Sequence, residues 1–117
     1  MRWAIASPIR GSHQGESHGG VYLIDLENRA VTQALDWNTV AIDWQGRGWD
    51  RGLRGIAFDG ETVYLAASDE LFAYRPDFSL IGSWRNPYLR HCHEIAVHER
   101  RLFLASTAFD SVLGFDL

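Results

Sequence analysis

The chain has 117 residues and a net charge of −4, with 46% hydrophobic residues and 13% aromatic ones, five of them Trp. That length supports one ordinary core, the balance excludes a disordered chain, and without a basic stripe to follow a phosphate backbone nucleic-acid binding is set aside. Cys92, the single cysteine, excludes an internal disulfide, and no apolar run reaches the ~20 residues of a bilayer span or forms a signal peptide, so the expectation is a cytoplasmic protein away from membranes.

In chain order the pattern is short strands parted by turn residues, with almost no helical period. Trp3–Ser7 reads as a strand and Ile9–Gly20 as a polar, glycine-rich loop. Val21–Leu26 and Ala30–Trp37 are strands about a turn at Glu27–Arg29. Asn38–Leu53 is a long connection punctuated by Gly46, Gly48 and Gly52, with a short strand at Val40–Trp44. Arg54–Phe58 is a strand closed by Asp59-Gly60, a dipeptide whose tolerance of positive φ favours a hairpin. Thr62–Ala67, Leu71–Tyr74 and Ser79–Trp84 follow, the last after a Pro76-Asp77 turn. His93–Val97, Arg101–Ser106 and Val112–Leu117 complete the series. No helix is expected.

The strands repeat. Gly52–Phe58 aligns with His91–Val97 at an offset of 39, and the offset holds for Thr62–Ser68 against Arg101–Thr107. Ile56, Ala57, Leu65 and Ala66 recur unchanged. After a two-residue insertion, Leu71–Tyr74 meets Val112–Phe115. An earlier copy shows as Val21–Leu26, similar to Val112–Leu117, and Trp3–Ser7, similar to Tyr64–Ser68. A period near 40 with four strands per unit is the spacing of a β-propeller. Small residues in the second strand (Ala66, Ala67, Ala105, Ser106) suit the crowded middle of a blade.

The fold class is therefore all-β: blades of four antiparallel strands in an incomplete ring, a single partial domain over 1–117 with pieces at about 1–44, 52–85 and 91–117. It amounts to about two and three-quarter blades. The strand, the Asp-Gly turn, Tyr64-Leu65-Ala66-Ala67-Ser68 and Leu71-Phe72-Ala73-Tyr74 together resemble the six-bladed propellers of the NHL and SMP-30 (gluconolactonase-like) type. The match is best over His93–Leu117. It is specific for architecture and unspecific for function. The reading starts and stops in mid-blade, so either further blades belong to the same protein or copies self-associate to close a ring. Unpaired edges at Trp3–Ser7 and Val112–Leu117 favour the first.

His91-Cys92-His93 is the sharpest candidate site. On a regular strand the two imidazoles share a face, a half-site for zinc or another divalent metal. The plainer alternative is two polar residues in a wet channel. The repeat sets His93 opposite Arg54, at the start of successive innermost strands. Arg54 would hold a carboxylate or phosphate bidentately, or pair with Asp50 or Glu94. The loop Gly46–Gly52 leads into that strand. Its spacing is not that of a P-loop; Trp49 would stack on a ring or plug a blade interface, and Asp50 joins the candidate ligand-binding set.

Gly15-Glu16-Ser17-His18-Gly19 is not a nucleophile elbow, because Ser17 is one place off centre. A binding loop is the better reading for Gly11–Gly20. The resemblance to gluconolactonase-like propellers implies a divalent cation on carboxylate and Asn side chains. Here it points to Glu94, beside His91 and His93, and leaves the rest of the ligand set unplaced. Cys92 reads as a small core residue. Three functions stand in order: a propeller module binding a small molecule or protein partner at the channel mouth; a metal-dependent, lactonase-like hydrolase; and a structural repeat scaffold.

Overall fold

The computed structural model describes residues 2–9, 11–13, 16–37 and 52–117. The short strand expected at Val40–Trp44, and the candidates Trp49 and Asp50, lie outside these. The chain is all-β: three antiparallel sheets of three or four strands, with no closed barrel and no α-helix among the described residues. No helix there is long and apolar enough to cross a membrane. The chain divides into two units, Met1–Leu53 and Arg54–Leu117.

The first unit holds one sheet, in the order β1 (Arg2–Pro8), β2 (Gly19–Asp25), β3 (Ala30–Asp36). Its β2–β3 hairpin is closed by Asp25, whose carboxylate accepts the backbone N–H groups of Glu27 and Asn28, each at 3.1 Å. The connection into β2 is held by backbone bonds from His18 to Trp37 at 2.6 Å and from Trp37 to Gly19 at 2.7 Å. Trp37 and His18 are both fully buried. Gly19 has φ +103, and a Cβ there would stand 1.7 Å from the carbonyl oxygen of Ser7, so only glycine fits.

The second unit holds two sheets. One is four-stranded: β4 (Gly55–Asp59), β5 (Thr62–Ala67), β6 (Glu70–Tyr74), β7 (Leu80–Arg85). The other contains β8 (Cys92–His98), β9 (Arg101–Ser106) and β10 (Ser111–Asp116), with β9 in the middle. Alternation places Leu102, Leu104 and Ser106 on the buried face of β9, with Leu113 and Phe115 beside them on β10. This face packs on Ala57, Ala66 and Leu71 of the four-stranded sheet, and Leu89, Cys92 and Ile95 complete the core. Burial of these aliphatic side chains is the main stabilising contribution, each worth about 1.5–3 kcal/mol when fully removed from water.

The repeat is visible in the hydrogen-bond register. Asp59 pairs with Thr62 and His98 with Arg101; Val63 pairs with Tyr74 and Leu102 with Phe115. Each second pair is the first moved by 39 residues, or by 41 for the strand that follows the two-residue insertion. The earlier copy departs from this. The alignment pairs Trp3 with Leu23, whereas Trp3 pairs with Ile24, one step along. β1 ends at Pro8 and β2 starts at Gly19, so no two-residue turn joins them and fixes the register there.

Two local expectations are corrected. The β4–β5 turn is centred on Gly60-Glu61, with only Gly60 at positive φ, so Asp59 ends the strand. Among the described residues there is one helical element, a single 3-10 turn at Thr107–Phe109 closed by Asp110 in the left-handed conformation. It occupies the two-residue insertion between the repeats.

Candidate functional site

Antiparallel pairing gathers one end of the second unit from the starts of β4, β6, β8 and β10 and the ends of β5, β7 and β9. The segment between β7 and β8 crosses this end. Asn86 starts it with an Asx turn, its Oδ1 accepting the N–H of Tyr88 at 2.9 Å. Ser106, fully buried at the end of β9, holds the middle. Its hydroxyl donates to the Tyr88 carbonyl at 2.5 Å and accepts the Arg90 N–H at 3.0 Å. Thr107 donates from Oγ1 to the His91 carbonyl at 2.7 Å. The rings of Tyr88 and Phe109 meet edge to face with centroids 6.2 Å apart. The Cys92 N–H donates to the Ser68 carbonyl at 2.8 Å, tying the two sheets together.

Arg54 lies immediately before β4, half-buried, with its N–H on the Ala66 carbonyl at 3.0 Å. His91, His93 and Glu94 are all exposed. The backbone brings the Arg54 and His93 positions together: a Cβ on Gly55 would stand 2.9 Å from the His93 carbonyl oxygen. The starts of β4 and β8 thus approach one another, with contact one residue off the pairing that the 39-residue offset equates.

The two histidines are not set on one regular strand face. His91 precedes β8 and has φ +51. Between Cys92 and Ile95 the register shifts, because Cys92 pairs with Ser106 and Ile95 with Leu104, three residues on one strand against two on the other. His93 and Glu94 form this bulge, which breaks the period-two alternation. Among the described residues no three His, Cys, Asp or Glu side chains come together to hold a metal.

Cys92 is fully buried, and burial, helped by the charge of Glu94, pushes its thiol up to about 11. It is therefore a core group and a poor nucleophile at neutral pH. Ser17, the weak hydrolase candidate, donates its hydroxyl to Asp36 at 2.8 Å and closes a loop in the first unit. Sequence reasoning passed over Ser106, read as one more small residue in a crowded strand. It also passed over Glu70, buried at the start of β6, whose carboxylate accepts from Ser83 Oγ at 2.8 Å and Arg85 Nε at 3.3 Å.

No family model matches the sequence, and no curated protein matches it significantly.

Proposed function

We propose that the chain contributes blade-type repeats to a β-propeller of the NHL or SMP-30 kind and binds a small molecule or protein partner at the Arg54–His93 end of its second unit. The observation that supports this reading is the contact of Gly55 with His93, which sets the starts of two aligned strands, β4 and β8, side by side. Arg54 supplies a permanent cation there, and His91 and His93 supply polar, protonatable groups on exposed backbone. The favoured ligand group is accordingly a carboxylate or phosphate. The outer edge of β6 is covered by β7, whereas β10, its counterpart, is an edge strand among the described residues. A further blade or a second copy would cover that edge.

Titration with succinate and with inorganic phosphate, followed by backbone NMR, tests the binding reading. Saturable shifts confined to Arg54, His91, His93 and the 86–91 segment, and lost in Arg54→Ala, are expected. Absent shifts, or shifts that Arg54→Ala leaves in place, overturn it. Light scattering on the native protein tests the ring: polydisperse aggregate is expected where further blades of the same protein close it, a discrete oligomer means that copies close it, and a stable monodisperse monomer counts against a closed propeller.

A further inference from the structure

The two sheets of the second unit leave a cleft of about 360 Å³ between them. Tyr64, Leu71 and Trp84 line it on the four-stranded sheet. Ala66, Leu71 and Trp84 form one cross-strand row there, next to the row of Tyr64, Ala73 and Gly82. The Trp84 ring leans across, its carbons 3.6 Å from where a Gly82 Cβ would be, yet Trp84 stays 53% exposed. Leu102, Leu104 and Phe115 form the opposite wall. Leu71, Leu102 and Leu104 belong to the buried core, so the floor of the cleft is the core itself.

The rim fixes the ligand chemistry. Arg85 and Asp116 both reach it, and each charge is already matched within the protein: Arg85 Nε lies 3.3 Å from Glu70 Oε2, and Arg101 Nε 2.9 Å from Asp116 Oδ1. Tyr64 and Trp84 bring a phenol and an indole N–H to the lining, and Asn86 brings an amide. The Asn86 oxygen accepts from Tyr88, which leaves its amide N–H groups as donors. A space of this size with apolar walls and few polar groups has the form of a small-molecule site.

We propose that this cleft binds an uncharged aromatic small molecule carrying one hydrogen-bond acceptor, its ring between Trp84 and the Leu102–Leu104 wall and its acceptor on the Asn86 amide. A charged ligand is disfavoured because it would shed water without gaining a counter-ion. Arg54 and His93 are not among the cleft's lining residues, although Asn86 and Leu89 belong to the segment that crosses their end.

The test uses 2-acetylnaphthalene as probe, followed by NMR of the Trp84 indole and the leucine methyls. Saturable shifts at Trp84, Leu71, Leu102 and Leu104 are expected. 2-Naphthoate should bind at least about tenfold more weakly, since its carboxylate is desolvated without a partner. Asn86→Asp keeps the oxygen that Tyr88 needs and removes the donor, so the ketone should bind about fivefold more weakly or worse. Leu117→Trp, at a half-buried lining position, narrows the cleft and should abolish binding. Shifts confined to other regions, equal affinity for naphthoate, or unchanged binding in either variant with its native melting transition intact overturns the proposal.

Discussion

Gly55 and His93 touch through their backbones: a Cβ built on Gly55 would lie 2.9 Å from the His93 oxygen and 3.1 Å from the Ile95 nitrogen. Both neighbours are main-chain atoms of β8, so neither yields as a side-chain tip would. Gly55→Ala should push β4 away from β8 and cost about 1–3 kcal/mol, the range of an overpacked core. Urea unfolding checks this. A midpoint unchanged from wild type would mean that the two strands separate freely, and the binding reading for Arg54 and His93 would lose its support.

Ser106 is the second fixed point. Its hydroxyl serves both the Tyr88 carbonyl and the Arg90 N–H from a fully buried position. Ser106→Ala strands both backbone groups and should cost about 1–3 kcal/mol. The Arg90 amide should also lose its protection from hydrogen exchange ahead of the β9 amides. Equal protection in the variant would show that the 86–91 segment is held by other means.

The strand series and the 39-residue offset were legible because period-two alternation and turn residues are local signals. The offset then reappears as register in the pairs Ile56–Leu65 and Ile95–Leu104. What could not be read was backbone geometry without a residue signature. Nothing in Cys92–Ile95 announces a bulge, so His91 and His93 seemed to share a face. Nothing in Glu99-Arg100 announces a left-handed pair. Trp3–Ser7 resembles its later copies in composition, but its loop leaves the register open by one step.

The site was legible to a lesser degree. The repeat pointed to Arg54 and His93, and the starts of β4 and β8 that carry them do lie close together. Ser106 was hidden because it stands where the previous copy has Ala67. A polar residue replacing alanine at a buried repeat position was the available clue. The cleft depends on how Tyr64, Leu71 and Trp84 face Leu102, Leu104 and Phe115 from the other sheet, a tertiary fact that composition cannot reveal.

The β8–β9 hairpin carries avoidable strain. Glu99 and Arg100 have φ of 48 and 58, the paired left-handed conformation of a two-residue turn. Arg100 is retained by its guanidinium bond to the Leu117 carbonyl at 2.7 Å. Glu99 is exposed and replaceable. Glu99→Asn should stabilise the protein by about 0.5–1 kcal/mol, because asparagine tolerates this region better. A melting temperature unchanged or lowered would place the turn outside the geometry described.

Alkaline pH should weaken the fold through its core. Burial pushes the Cys92 thiol from 9.0 up to about 11 and the Tyr74 phenol from 10.0 up to about 12. In both the neutral form is favoured by the fold, so the unfolded chain gives up its protons first. Their contribution is complete below the unfolded values and is lost as pH rises through the folded ones. The unfolding midpoint should therefore decline from about pH 9 and go on falling to about pH 12. Cys92→Ala should remove the earlier part of that decline, whatever it costs in packing. In the native protein at pH 8 Cys92 should react with a thiol reagent only as fast as the core opens. Labelling at the rate of an unfolded cysteine would show that the thiol is accessible, and the sheet contact through Ser68 and Cys92 would have to be redrawn.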